Sequence, residues 1–168
     1  MKTPKLLKSA AIAFAVYDSP MISDATLGTS MAIAEASSAD QKFAHASYTK
    51  ILGIARRPIM VDIAKKGLNI YSDPSYRQFF HALNSIRDGR VANNIGGKGV
   101  LAFCASVHTD NIINQIIPTV QDRKKRNELK GIQKEVRKIA KNLNSRLYDG
   151  QAHHRNCPQV YRTYTHTK

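Results

Sequence analysis

TVQDRKKRNELKGIQKEVRKIAKNLNSRLYD, residues 119–149, decides how the chain is read. It holds ten of the 26 Lys and Arg residues, no Pro and one Gly. Leu129, Ile132, Val136, Ile139, Leu143 and Leu147 recur at spacings of three and four, which places them on one stripe of an α-helix. Lys130, Lys134, Arg137, Lys138 and Lys141 fall on another face of the same helix. Arg123, Lys124, Lys125 and Arg126 form a cluster before them. Thr119 and Asp122 have the spacing of a capping box, and Gly150 suits a left-handed stop, so the helix is expected to run over the whole stretch. An alternative start at Gly131 would leave 119–130 as a basic loop, because Gly costs about 1 kcal/mol relative to Ala inside a helix. Like charges four apart repel, and only Glu128 and Glu135 relieve them here. An anionic partner would remove that repulsion, whereas a merely solvated face would leave it in place.

The 168 residues suffice for one domain with its own core, and 42% hydrophobic residues argue against wholesale disorder. Formal net charge is +14, and it climbs along the chain. Residues 1–50 carry five bases against four acids, 51–100 eight against three, and 101–168 thirteen against five. Clustered bases in so basic a chain are the electrostatic footprint of nucleic-acid binding; acidic proteins and anionic membrane surfaces compete for the same charge. No apolar stretch approaches the roughly 20 residues of a membrane span. Lys2, Lys5 and Lys8 followed by Ala10–Tyr17 imitate a secretion signal, but the apolar part is short and lacks a nearby cleavage site. The expected location is therefore intracellular or within a nucleoprotein particle. The two cysteines are too few for a disulfide scaffold. Cys104, in the apolar run Val100–Val107, reads as a core residue and Cys157 as part of a polar tail, a pattern that fits a reducing compartment; a bridge between the two is the less favoured alternative.

Taken in order, Thr3-Pro4 opens a first helix to about Tyr17, apolar nearly all round and so expected to be buried in the protein or against a second copy. A weaker helix covers 25–36. Ser38–Gln41 has a capping-box pattern and opens a helix ending near Gly53. Pro58 and Gly67 bracket the next, and Ser72-Asp73-Pro74 opens an aromatic helix with Tyr76, Phe79, Phe80, Leu83 and Ile86, expected to be the centre of the core. Asn93–Gly99 reads as a flexible joint, and Val100–Ile117 as helix that Asp110 would divide. Strand signals appear only at Gln159–Thr165. The sum is an all-α fold: one bundle-like domain over 1–150 with six or seven helices, then a polar tail over 151–168.

Ile95-Gly-Gly-Lys-Gly99 lacks the first Gly and the final Ser or Thr of a phosphate loop, which leaves a loose phosphate contact through Lys98 or a hinge. His153, His154, Cys157 and His166 have metal-ligand chemistry without finger spacing. Arg56, Arg57, Lys65 and Lys66 flank a segment too long for the turn of a helix-turn-helix, and count as part of a basic surface. The acids are scattered singly, and no nucleophile or metal signature occurs, so no catalysis, cofactor, metal or small-molecule substrate is expected. The expectation is a non-enzymatic, sequence-independent nucleic-acid binder that self-associates through apolar helical surfaces. Alternatives are a module that meets an acidic protein, and a small nuclease using the C-terminal histidines with Asp149.

Overall fold

The computed structural model describes residues 37–165. Six α-helices follow in order: α1 Ser38–Ala55, α2 Pro58–Ile70, α3 Pro74–Arg87, α4 Ile95–Ile116, α5 Arg123–Leu147 and α6 Cys157–Tyr164. Short 3-10 turns at Ile117–Thr119 and His154–Asn156 precede the last two. The all-α fold read from the pattern is the fold found. The helices expected over 4–17 and 25–36, and His166, lie outside the described residues.

Polar caps explain where helices begin. The side chain of Ser37 accepts from the Asp40 N–H, and that of Asp73 from the Ser75 N–H. Pro58 and Pro74 occupy first-turn positions, where a missing N–H costs nothing. The Asn94 side chain caps α4 through the Gly97 N–H. The glycines expected to form a joint are thus the first turn of a helix. Gly97 is there because a Cβ would lie 2.4 Å from the Tyr164 ring.

The core centres on α4, not on the aromatic helix α3. Residues 99–106 of α4 are buried without interruption, as expected of a helix covered on every side. α5, α1, α6 and α3 pack around it, and α2 packs chiefly on α3. Phe79, Phe80, Leu83 and Ile86 of α3 reach that core from one side. Asp110 does not divide α4. Its carboxylate accepts from Gln133 Nε2 at 2.7 Å and from Arg137 Nε at 3.0 Å, so the charge that should have broken the helix ties α4 to α5. Nor does Gly67 end α2, which continues to Ile70. Gly67 instead lets the Phe80 ring lie directly against the helix backbone.

The segment with strand signals forms α6, and only Thr165 pairs as a single antiparallel bridge, with Val91. Cys157, Val160, Tyr161 and Tyr164 recur at helical spacing. The first three are buried and Tyr164 is half-buried. Cys157 is disulfide-bonded to Cys104 of α4, with Cα atoms 5.6 Å apart. The bridge, the less favoured of the two readings, replaces the separate thiols: residues 53 apart in sequence meet because α6 folds back onto α4.

A second tie lies beside the bridge. The Tyr161 hydroxyl and His108 Nδ1 share a hydrogen bond, and the His108 ring meets the edge of Phe79 at 5.5 Å between centroids. Burial, helped by the charge of His154, lowers the His108 pKa to about 4. An unfolded His titrates near 6.5, so the unfolded chain takes up a proton that the folded chain refuses between these values. Stability is fully present above about pH 6.5 and falls as pH drops toward 4, by about 3 kcal/mol from this residue. Denaturant midpoints at pH 7 and pH 4.5 should show the fall, and in His108→Gln that share of it should disappear. An equal fall in the variant would assign the whole acid sensitivity to other groups.

Candidate nucleic-acid interface

α5 divides as its pattern requires. Leu129, Ile132, Gln133, Val136, Ile139, Leu143 and Leu147 are buried, so all six residues of the apolar stripe enter the core. Lys130, Lys134, Arg137, Lys138 and Lys141 are exposed on the outward side. The helix continues unbroken through Gly131, an exposed position where a Cβ would meet nothing. It closes as expected, with Gly150 at φ +76 and its N–H bonded to the Asn144 carbonyl at 2.9 Å.

The start differs. Thr119 belongs to the 3-10 turn, and Asp122 is the N-cap, accepting from Lys124 N at 2.8 Å and Lys125 N at 3.3 Å. Arg123, Lys124, Lys125 and Arg126 therefore occupy the first turn of α5, where the helix dipole disfavours cations. Arg126 offsets this by donating to the carbonyls of Val120 and Gln121 at 2.7 and 2.8 Å, which fastens the α4–α5 connection. The other three are exposed and in no ion pair among the described residues.

The candidate cations do not all have the same freedom. Arg137 is held by Asp110. Lys130, Lys134, Lys138 and Lys141 are in no ion pair among the described residues. Arg57, half-buried at the start of α2, reaches Glu135 on α5 at 2.9 Å and so lies alongside that helix. Arg56 points the other way, toward the Arg87 carbonyl. Lys65 is exposed on α2, and Lys66 pairs with Asp62 at 3.1 Å. Lys66 and Lys125 flank a second groove, floored by apolar residues of α2 and the α4–α5 connection, with Ile70 exposed at its rim. The structure thus joins Arg57 to the α5 bases through Glu135, brings Lys66 to the groove that Lys125 also lines, and places neither Arg56 nor Lys65 in either groove.

Between α1 and α5 lies a groove of about 480 Å³ whose walls include Phe43, Lys50, Gly53, Arg57, Glu135 and Lys138. The reading of the sequence missed Phe43, Lys50 and Gly53. The available signal was the spacing Ser47, Lys50, Gly53, Arg57, which places these positions along one side as α1 gives way to α2.

The remaining candidates are engaged elsewhere. The Lys98 ammonium lies over the Tyr48 ring at 5.4 Å from its centroid, and Tyr164 covers the glycine turn, which leaves that turn no room for phosphate. His153 and His154 are exposed and Cys157 is in the disulfide. Among the described residues no group of three or more His, Cys, Asp or Glu could hold a metal ion, and no helix is long and apolar enough to cross a membrane. Comparison with protein-family models, curated proteins and solved structures finds no match, so the functional reading rests on this chain's own residues.

Proposed function

We propose that the protein binds nucleic acid without reacting on it, through the phosphate backbone, as a coating, packaging or scaffolding subunit of a nucleoprotein assembly. One observation carries the reading: the inward side of α5 is wholly used by the core, while Lys130, Lys134, Lys138 and Lys141 stand on its outward side with no carboxylate partner among the described residues. From Lys130 to Lys141 the helix spans about 16 Å, enough to follow several phosphates. Three further exposed cations sit in the first turn of the helix, where its own dipole repels them. A polyanion relieves both repulsions. Lysine ammoniums are point charges that hold phosphate without reading base edges, so binding is sequence-independent. The disulfide favours oxidising surroundings for the assembly, against the reducing compartment expected from the cysteine count.

Salt titration tests the reading. With four duplex phosphates neutralised by these lysines, log K falls against log salt with a slope of about −3.6, or −2.8 on a single strand. The triple variant Lys130→Gln, Lys134→Gln, Lys141→Gln leaves the core and the Arg137–Asp110 pair intact. It should keep its circular dichroism, flatten the duplex slope by about 2.7 and weaken all sequences alike. Unchanged affinity and slope in the folded variant would reduce this face to a solvated one. Binding of an acidic protein but of neither DNA nor RNA would transfer it to a protein partner.

A further inference from the structure

We propose that the groove between α1 and α5 is a subsite for one unstacked nucleotide of a single strand, continuous with the outer row through Lys138. The inference rests on the nucleic-acid reading above. At about 480 Å³ the groove is of small-ligand size, which admits a nucleotide and excludes a duplex. Its charge suits a phosphodiester. Lys50 and Lys138 are in no ion pair among the described residues, and Arg57 shares its charge only with a half-exposed Glu135. Its apolar wall includes half-buried Phe43, whose ring is held by the Arg146 guanidinium 4.5 Å from the centroid. Cations along a groove beside an aromatic ring are how proteins bind single strands without reading sequence.

Gly53 supplies an independent observation. It is exposed inside α1, where Gly is a poor helix former, yet a Cβ there would meet nothing within 4 Å. The fold does not need the glycine, unlike Gly67 and Gly97, whose neighbours fill the space. Bare backbone on the wall of a charged groove is what close approach of a ligand requires.

The test measures binding of a labelled oligothymidylate of about twelve nucleotides and of a duplex of similar length. It compares wild-type protein with Gly53→Ala, Gly53→Leu and Lys50→Gln. Gly53→Ala should raise Tm by a few degrees and still weaken the single-strand complex, a combination that a purely structural glycine does not give. Gly53→Leu should weaken it about tenfold, and Lys50→Gln several-fold, with duplex affinity kept. If Gly53→Leu fails to fold, Lys50→Gln decides. Single-strand affinities equal to wild type overturn the subsite and leave the outer row standing. Equal losses on single strand and duplex also overturn it, because the groove would then not select an unstacked nucleotide. A wild-type protein that binds neither probe sinks the nucleic-acid reading and the subsite together.

Discussion

Reducing the Cys104–Cys157 bond should lower the stability of the domain by about 4 kcal/mol and its Tm by roughly 10–15 °C. The size follows from the separation of 53 positions between the cysteines: holding the two ends together restricts the unfolded chain far more than the folded one. The folded state also gains from the bond. α6 has only eight residues, too few to persist as an isolated helix, and its hold on α4 includes the bridge, the Tyr161–His108 hydrogen bond, the Tyr164 ring against Gly97 and the burial of Val160 and Tyr161. Both sulfurs are buried, so reduction needs denaturant or heat before the reductant can reach them. Denaturant melts with and without reductant, beside a Cys104→Ala, Cys157→Ala variant, measure the difference. Thiol alkylation of the unreduced, denatured chain should find no free cysteine. Two reactive thiols, or coincident melts, would show that the cysteines are not joined in the folded protein.

What the sequence made legible follows from the range of the interactions involved. α5 was readable because its stripe depends only on neighbours three and four residues away, and all six apolar positions proved buried. Its first residue was misplaced from Thr119 to beyond Asp122 because Pro118 sits inside a 3-10 turn, so the capping signal comes one turn later. Asp110 looked like a helix breaker because its partners Gln133 and Arg137 lie on another helix. The glycines before α4 looked like a hinge because Tyr164, the side chain that requires one of them, is more than sixty residues further on. Gln159–Thr165 looked extended because Val, Tyr and Thr favour strands in general, whereas here burial against α4 outweighs a propensity that context readily overrides. The same limit applies to the candidate interface. The outer row on α5 is a local pattern and was legible. The α1–α5 groove depends on Arg57 lying beside Glu135, a contact across 78 positions, so the local spacing Ser47, Lys50, Gly53, Arg57 marks one wall and not the groove.

Replacing Phe80 with Ala should cost about 3–5 kcal/mol, and Gly67→Ala about 2, while the two together should cost less than their sum. Phe80 is fully buried, so its loss leaves a cavity lined by α2, α3 and Tyr71, whose ring stacks on it at 5.9 Å. A Cβ on Gly67 would lie 2.2 Å from Cε2 and Cζ of that ring. The ring has no room to retreat, so overpacking outweighs the roughly 1 kcal/mol of helix propensity that Ala brings. In the Phe80→Ala background nothing opposes the methyl, and Gly67→Ala should turn stabilising. The expected coupling is about 3 kcal/mol, measured by denaturant unfolding of the four proteins. If Gly67→Ala is equally harmful in both backgrounds, the strain lies in the backbone and not in the ring contact. The contact also matters beyond stability. It seats α2 against α3, and Arg57 at the head of α2 forms a wall of the charged groove through its pair with Glu135. A folded Gly67→Ala protein with α2 displaced should therefore lose part of its single-strand affinity while the outward lysines of α5, which stand on a different helix, keep their salt dependence.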